Sequence, residues 1–338
     1  MSRYSRQERF LAIGTKGQTL LAEKHVLIVG VGALGATIAD LLVRAGVGEI
    51  SLVDRDFVDL SNLQRQMLYS EADVTARLPK ATAAKRRLQA INHTTIIHAY
   101  NEEANVEFFE HMLTTHSIDL MIDGTDHFDI RFVMNDIAHK YSIPWIYGAC
   151  VAASSLSFFI KPGKTTCLHC IMGDLPSTGP TCDTAGILAS ASQITAALQV
   201  AEALKYLTDN EAAMRGTVFS IDVWQNTFSS VNVEALRKPT CPTCGEKPTY
   251  PFLQPNATTK FASLCGRDTV QIRPVYKIRD LFALKEQLQA EKISHFNDFL
   301  ISFHAQEYQL TAFKDGRVFV HGTADIQQAK SIYYQYFT

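Results

Sequence analysis

The sequence predicts an α/β fold: a doubly wound, mainly parallel sheet with a structural metal site, followed by a small α+β module. Three observations support this prediction. Short apolar runs alternate with helical segments through the first part of the chain, a pattern typical of parallel sheets with helices on both faces. Two Cys-x-x-Cys pairs follow, and such pairs are typical of metal-binding loops. Prolines then separate a last segment in which a predicted hairpin is flanked by helices.

The predicted elements of the first part come from hydrophobic periodicity. Continuous apolar runs are typical of strands buried on both faces, whereas apolar residues at helical spacing indicate the helices between them. The predicted strands are residues 25–30, 49–54, 95–100, 119–123 and 144–147, and the predicted helices are residues 36–45, 106–115 and 130–141. Further along, residues 155–160 predict an antiparallel strand and residues 188–207 a long helix.

A glycine-rich turn follows the first predicted strand, with Gly30, Gly32 and Gly35 in a G-x-G-x-x-G pattern. Asp54 ends the second strand, at the distance expected of an acid that bonds ribose hydroxyls. The pattern indicates a Rossmann-like nucleotide site, because glycines let the backbone approach a phosphate closely. It does not specify the nucleotide, and an NAD-dependent oxidoreductase would carry the same turn. A turn required only for helix-to-strand packing is the structural alternative.

The two cysteine pairs are Cys167-Leu-His-Cys170 and Cys241-Pro-Thr-Cys244. Each pair offers two thiolates on one tight loop, which suits tetrahedral zinc with four sulfur ligands. Four thiolates close the coordination shell, so the pattern predicts one structural zinc per chain rather than a catalytic metal.

Proline spacing predicts how the chain divides. Residues 1–247 are predicted to form the nucleotide-binding domain with its zinc clip, and residues 248–277 a proline-containing linker, since prolines 248, 251 and 255 disfavour helix and ladder. Residues 278–338 are predicted to form a small α+β module. Its predicted elements are a helix at 280–291, a strand at 299–303, a hairpin at 308–320 and a helix at 325–336. This module contains no cysteine, so it is not expected to donate sulfur.

Composition excludes several classes of protein. The chain has 338 residues, of which 46% are hydrophobic and 20% charged, as in ordinary globular proteins. The formal net charge of -2 gives no overall basic field, so we expect neither nucleic acid nor a membrane as partner. The opening residues are charged and no later run is apolar enough to span a membrane. With seven cysteines, four of them in metal-type pairs, we expect a cytoplasmic protein.

Several further motifs carry a resemblance to a known family. They are Arg3-Tyr-Ser-Arg6-Gln, the stretch DFVDLSNLQRQ at residues 56–66, Lys80 after a proline, Gly124-Thr-Asp126 and the paired cysteines. From about Arg3 to Cys244 the sequence closely resembles the MoeB/ThiF family, bacterial relatives of ubiquitin-activating enzymes. The resemblance implies a homodimeric adenylyltransferase that uses ATP and Mg²⁺. Its implied partner is a ubiquitin-like sulfur carrier of the MoaD or ThiS type, whose carboxy-terminal glycine it adenylates with release of pyrophosphate, for molybdopterin or thiamine biosynthesis.

The resemblance also implies roles for individual residues. Arg65 and Lys80 would stabilise the charge that develops on the phosphates, as phosphoryl chemistry requires. Asn62 would face the phosphates, Asp126 would hold magnesium and Asp54 the ribose. Each has an ordinary alternative, such as solvated surface charge for Arg65 and Lys80 or a turn or helix cap for Asp126.

Two more residues would act outside the nucleotide site of one chain. By the resemblance, Arg6 would reach the nucleotide of the partner subunit. Cys182 aligns with a cysteine that some members use to take the activated carrier as a thioester or acyl disulfide. Its alternative is a small buried hydrophobic residue.

Other functions remain open at this point. An NAD-dependent oxidoreductase shares the glycine turn but has no evident use for Asn62, Arg65 or Lys80. A tRNA-modifying dehydratase of the same superfamily activates a carboxylate on tRNA, although the closed cysteine clip and the lack of basic excess disfavour it. A non-enzymatic nucleotide-binding scaffold would bind nucleotide without releasing pyrophosphate.

Overall fold

A computed structural model gives the fold of residues 2–126, 128–173, 185–254, 260–263, 268–273, 279–288 and 291–337. The chain divides into two compact units, Met1–Gln254 and Pro255–Thr338. Among the residues in these ranges, no helix combines the length and apolar character that crossing a membrane requires.

The first unit alternates strands and helices. Its strands are β1 (His25–Val29), β2 (Glu49–Val53), β3 (Ile96–Tyr100), β4 (Leu120–Asp123), β5 (Trp145–Val151), β6 (Ser154–Ile160), β7 (Val218–Asp222) and β8 (Thr227–Val231). Its helices are α1 (Gly14–Ala22), α2 (Ala33–Ala45), α3 (Glu71–Thr75), α4 (Lys80–Ile91), α5 (Val106–Thr115), α6 (Phe128–Tyr141), α7 (Leu168–Met172) and α8 (Ala189–Leu207). Short 3-10 helices lie at Leu60–Asn62, Glu211–Ala213, Glu234–Leu236 and Pro251–Leu253.

These strands form one eight-stranded sheet in the order β3-β2-β1-β4-β5-β6-β7-β8. Pairing is parallel from β3 to β5 and antiparallel from β5 to β8. All five residues of β1 are buried, because it lies between two parallel neighbours. The predicted mainly parallel, Rossmann-like sheet is therefore confirmed, as is the antiparallel strand at 155–160.

The parallel strands end at the same edge of the sheet. β1 runs directly into the glycine turn, β2 ends immediately before Asp54, and β4 ends at Asp123, three residues before Asp126. Carboxyl ends of parallel strands are where α/β sheets bind ligands. The fold thus gathers the predicted nucleotide-binding residues at one edge.

Elements that the sequence pattern did not predict have weak apolar periodicity. α4 turns a face of alanines and Leu88 inward, between charged residues. β8 is exposed at all five positions, so it lacks the buried alternation that indicates a strand. α1 buries Gly17, Gln18 and Leu21, of which only Leu21 is a large apolar side chain.

The second unit has its own antiparallel sheet. Its strands are β9 (Lys260–Ser263), β10 (Thr269–Arg273), β11 (Lys292–Phe296), β12 (Leu300–Ala305), β13 (Tyr308–Phe313) and β14 (Val318–His321), in the order β11-β12-β13-β14-β10-β9. The helices α9 (Leu281–Gln287) and α10 (Ile326–Tyr336) accompany it. Phe303, Leu310 and Val320 are fully buried in its core.

Two of these strands correct the predicted linker. β9 and β10 pair with each other inside residues 248–277, the stretch predicted to be a linker without helix or ladder. The prolines at 248, 251 and 255 precede both strands, and no proline lies between 256 and 273 to remove a ladder donor. The predicted helix at 280–291 also ends earlier, at Gln287, where β11 soon follows.

Candidate functional site

The glycine turn between β1 and α2 lies against the end of β4. Gly30 has a φ of +83°, and a Cβ there would lie 2.8 Å from the carbonyl oxygen of Gly124. A Cβ at Gly35 would overlap the carbonyl oxygen of Gly30. These positions require glycine for the packing of the chain itself. Gly32 differs, because the nearest atom to a Cβ there would be Gln66 Nε2, at 3.8 Å. The space beside Gly32 suits close approach of a ligand such as a phosphate.

Asp54 joins the glycine turn to the loop after β2. The Val31 N–H donates to Asp54 Oδ2 at 2.6 Å, and the Asp56 N–H donates to Asp54 Oδ1 at 2.7 Å. Burial raises the pKa of Asp54, against the opposing effect of the nearby Lys80 cation. The carboxyl group therefore lies directly against the turn that would take the phosphates.

Lys80, the first residue of α4, is a buried cation at this edge. Only 9% of its side chain is exposed, and its Nζ lies 3.2 Å from Asp56 Oδ2. Burial by itself would lower the pKa of Lys80, but the carboxylates of Asp56, Asp54 and Asp126 outweigh it and raise the pKa. Lys80 therefore stays charged. The structure brings it together with two of the predicted acids, Asp54 and Asp126.

Tyr69 contacts the backbone of Lys80. Its hydroxyl group donates to the carbonyl oxygen of Val31 at 2.6 Å and lies 3.3 Å from the carbonyl oxygen of Lys80. The side chain is buried, and burial raises its pKa well above the usual value. Tyr69 thus ties the glycine turn to the start of α4. Nothing in the local sequence pattern marked it as part of the site.

Asn62 and Arg65 lie on the loop between β2 and α3. Asn62 is buried, and its Oδ1 accepts the Asp59 N–H at 3.1 Å in a capping box on the 3-10 helix. Arg65 is partly exposed, and its Nη1 donates to the carbonyl oxygen of Ser61 at 2.9 Å. Asn62 is thus fixed by the fold, whereas the Arg65 guanidinium is held to the backbone of its own loop.

Asp126 is exposed just beyond the end of β4, behind a buried ion pair. Arg131 Nε donates to Asp123 Oδ2 at 2.8 Å, with both side chains almost fully buried. Asp123 Oδ1 accepts the Thr125 N–H at 2.9 Å, and Arg131 Nη2 donates to the Thr125 carbonyl oxygen at 2.7 Å. This pair braces the residue next to Asp126 from both sides. Sequence reasoning missed the pair, although Asp123 ends an apolar strand and Arg131 interrupts the apolar face of a helix.

Arg6 and Cys182 were also predicted to act at the site. Arg6 is exposed in the turns before α1, close in sequence to two exposed apolar side chains, Phe10 at 63% and Leu11 at 96% exposure. Cys182 lies outside the described residues.

The four cysteines of the two pairs meet in one cluster. Cys167 and Cys241 have their sulfur atoms 3.7 Å apart, and those of Cys170 and Cys244 are 3.6 Å apart. Ligands of tetrahedral zinc at about 2.3 Å from the metal lie about 3.8 Å from each other. The donor set and its spacing fit zinc.

Helix α6 holds both cysteine loops through adjacent residues. Asn135 Oδ1 accepts the Leu168 N–H at 2.9 Å in the first loop. Asp136 Oδ1 accepts from the Thr243 hydroxyl at 2.6 Å in the second. Both side chains are fully buried. One helix therefore fixes the separation of the two pairs. Sequence reasoning did not identify either residue.

The chain is similar in sequence and in fold to several known proteins. A model of the ThiF family matches residues 4–243. The chain is 46% identical over 336 residues to sulfur carrier protein ThiS adenylyltransferase of Bacillus subtilis, covering 99% of this chain and 98% of that protein. It is 31% identical over 247 residues to molybdopterin-synthase adenylyltransferase of Salmonella typhimurium, covering 73% of this chain and 97% of that protein. A crystal structure of E. coli MccB matches with a TM-score of 0.63 and 25% identity, covering 73% of each chain.

Proposed function

The chain belongs to the ThiF family, and from that premise we propose that it adenylates the carboxy-terminal glycine of a ThiS-like sulfur carrier in thiamine biosynthesis. One observation carries the choice of carrier. The likeness to the ThiS adenylyltransferase extends over 99% of the chain and so includes the second unit. The molybdopterin-synthase relative is matched over 97% of its length by only 73% of this chain, which leaves it no counterpart of that unit.

The proposed reaction depends on positive charge placed near the phosphates and not on a covalent bond to the enzyme. A carboxylate oxygen of the carrier's terminal glycine attacks the α-phosphorus of ATP, and the bond to the bridging oxygen of pyrophosphate breaks. Negative charge develops on the phosphates, and cations fixed beforehand stabilise it without reorganisation. Lys80, buried and kept charged by neighbouring carboxylates, supports this role. Arg65 supplies the second cation.

The nucleotide lies along the carboxyl edge of the sheet. The space beside Gly32 receives the phosphates, while Gly30 and Gly35 maintain the turn. Asp54 exchanges its hydrogen bonds with backbone N–H groups for the ribose hydroxyls, and Asn62 faces the phosphates. The buried hydrogen bonds of Tyr69 hold the glycine turn and the start of α4 at a fixed separation.

Two metals complete the proposal. Asp126 and substrate oxygens hold Mg²⁺, which neutralises phosphate charge when bound. Cys167, Cys170, Cys241 and Cys244 hold one structural Zn²⁺ per chain. Their close sulfur spacing and the buried anchors on α6 support this assignment.

The active assembly is a homodimer in this proposal. Arg6 reaches the partner's nucleotide, and the same segment carries the exposed Phe10 and Leu11. Large apolar side chains this exposed are typical of surfaces that another molecule covers, which supports a second copy at this end of the chain.

The deciding experiment is ATP–pyrophosphate exchange with one candidate carrier at a time. We expect exchange with a ThiS-like carrier and at least tenfold less with a MoaD-like carrier of equal concentration. A ThiS-like carrier that lacks its terminal glycine is the matched control and should give none. Preference for the MoaD-like carrier would overturn the thiamine assignment. Reduction of NAD with any substrate, without pyrophosphate exchange, would instead favour an oxidoreductase.

A further inference from the structure

A cluster of three histidines and one glutamate lies at the amino ends of the parallel strands. His25 begins β1, Glu49 begins β2, His98 lies in β3, and His116 follows the end of α5. The imidazole rings of His25, His98 and His116 have centroids 5.3 to 6.1 Å apart. All three point a ring nitrogen toward the same carboxylate, that of Glu49.

We propose that His25, Glu49 and His116 form a binding site for one divalent transition-metal ion. Their ligand atoms lie within 4.8 Å of one another. His25 Nδ1 is 3.5 Å from Glu49 Oε1, and His116 Nδ1 is 3.9 Å from the same oxygen. Good hydrogen bonds are shorter than these distances. Two nitrogen or oxygen ligands of a tetrahedral ion, each about 2.0–2.1 Å from it, lie about 3.3 Å apart.

The outer nitrogens of both histidines already have partners. His25 Nε2 lies 2.9 Å from the hydroxyl oxygen of Ser51, and His116 Nε2 lies 3.3 Å from that of Tyr100. Bonds of this kind fix a histidine's tautomer and orientation, and metal-binding histidines usually have one. With the proton on Nε2, each of these two histidines directs its Nδ1 lone pair at the shared position, where Glu49 Oε1 also lies.

His98 acts on the carboxylate. Its Nε2 lies 2.8 Å from Glu49 Oε1, at hydrogen-bond distance. Carboxylates that bind metals are themselves often held by such a bond. His98 therefore orients Glu49, while Glu49, His25 and His116 supply the ligands.

Charge and access also suit a cation. The side chain of His25 is 7% exposed, whereas those of Glu49 and His116 are 30% and 27% exposed, so an ion can enter from solvent. Asp119 also lies nearby: its Oδ2 accepts the backbone N–H of His25 at 2.9 Å, while its Oδ1 pairs with Lys24 Nζ at 3.2 Å. Two imidazoles with one carboxylate suit Zn²⁺, Co²⁺ or Ni²⁺ rather than Mg²⁺ or Ca²⁺.

This site is separate from the nucleotide site. β1 and β2 begin at His25 and Glu49 and end immediately before Gly30 and Asp54. Five residues of strand span about 16 Å, so the two sites lie at opposite ends of the sheet. A bound ion would join the starts of β1 and β2 to the segment after α5 and so stabilise the unit, without taking part in adenylation.

Cobalt titration of the purified protein tests the proposal. Thiolate sites give intense sulfur-to-cobalt charge-transfer bands, whereas a histidine and carboxylate site gives only weaker d–d bands. We expect one equivalent of Co²⁺ to bind with d–d bands alone, in addition to any metal at the cysteines. His116→Ala and Glu49→Gln should each weaken this binding at least tenfold. His111→Ala, which changes an exposed histidine on the helix that precedes His116, is the matched control and should bind like the wild type.

A second measurement covers variants that fold poorly. In protein whose cysteines are already loaded with Zn²⁺, added Co²⁺ should raise the melting temperature of the wild type and of His111→Ala, and should not change that of His116→Ala. The proposal would be wrong if the wild type bound no equivalent of Co²⁺ with d–d bands alone. It would also be wrong if the wild type and His116→Ala bound that Co²⁺ with equal affinity. Either outcome is independent of pyrophosphate exchange, so it leaves the proposed function standing.

Discussion

The carboxyl edge of the parallel strands, where we propose that the nucleotide binds, and the cysteine cluster belong to the same unit. The first region is partly open, whereas the second is closed. At the nucleotide edge, Lys80, Asp54 and Asp56 are held close together, yet space remains beside Gly32 and Asp126 is exposed. In the cysteine cluster, four sulfur atoms lie within 4.8 Å of one another, a set of ligands that would close a tetrahedral metal shell. The difference indicates that the first region is organised for ligands and the second for stability.

The supports of the two regions differ in the same sense. The buried pair of Asp123 and Arg131 positions the residue beside Asp126, so we expect its loss to lower the rate of pyrophosphate exchange. Asn135 and Asp136 position the cysteine loops, so we expect their loss to lower the stability of the fold. Substitutions that separate activity from stability therefore test the contrast, and they follow in order of their expected effect on pyrophosphate exchange.

Arg65→Ala should have the largest effect on exchange. In the proposed mechanism the guanidinium stabilises charge that develops in the transition state, and removal of one such group typically costs about 100- to 1000-fold in rate. Its hydrogen bond to the Ser61 carbonyl oxygen lies within one loop and joins no two elements, so we expect the melting temperature and zinc content to stay unchanged. Carrier-dependent exchange and thermal unfolding measure the two quantities.

Arg86→Ala is the matched control for Arg65, because Arg86 is an exposed arginine on α4. It should retain full exchange activity. Wild-type exchange in a folded Arg65→Ala protein would remove Arg65 from the mechanism. A large loss in Arg86→Ala would indicate a general effect of surface charge.

Asp126→Ala should reduce exchange by about tenfold at saturating magnesium and more at low magnesium, since Mg²⁺ is held in part by protein carboxylates. A magnesium titration of the exchange rate shows whether the half-saturating concentration rises. Asp129→Ala, which changes an exposed acid three residues further along, should keep the wild-type magnesium dependence. An unchanged dependence in Asp126→Ala would contradict a metal role for this residue.

Changing both Cys241 and Cys244 to serine should affect stability far more than chemistry. A closed thiolate site contributes folding free energy and no open coordination position. We expect loss of zinc by elemental analysis and a melting temperature lower by about 6 °C, or about 2 kcal/mol for a unit of this size. Exchange measured below that temperature should fall by no more than about twofold, a small change on the scale of catalytic effects.

His169→Ala provides the control for the cysteine pair. His169 lies between Cys167 and Cys170, but the four sulfur atoms suffice to fill a tetrahedral shell. This variant should keep one zinc per chain. Loss of zinc in His169→Ala, or wild-type protein without zinc, would contradict the four-cysteine assignment.

The sequence predicted those residues and elements that are marked by a short motif or by a continuous apolar run. The glycine turn, Asp54 after β2 and both cysteine pairs lie in short motifs, and the parallel strands carried continuous apolar runs. The pairing of Asp123 with Arg131, or of Asp136 with Thr243, joins residues from different elements and leaves no local pattern. Such contacts become visible only when the fold brings the elements together.

Errors in the predicted elements also have physical causes. β8 is exposed throughout, and α4 buries mostly alanines, so neither has the apolar periodicity that predicts a strand or helix. β9 and β10 follow a proline cluster that predicts a linker, yet their own residues contain no proline and pair as a ladder. Proline indicates where a regular element is interrupted, but not how soon the next one begins.

Cys182→Ser should have the smallest effect on exchange. Attack on ATP requires charge and alignment but no nucleophilic thiol from the enzyme, so adenylate formation should be nearly unchanged. The effect should appear only in a later step, where the thiolate would attack the activated carboxyl, form a thioester and release AMP. Intact mass spectrometry of enzyme, ATP and carrier tests for a covalent, thiol-sensitive adduct in both proteins. An adduct present in the wild type and absent in the serine variant would support an acyl-accepting thiolate. Collapse of exchange in a well-folded Cys182→Ser protein would instead show that adenylation depends on this thiol.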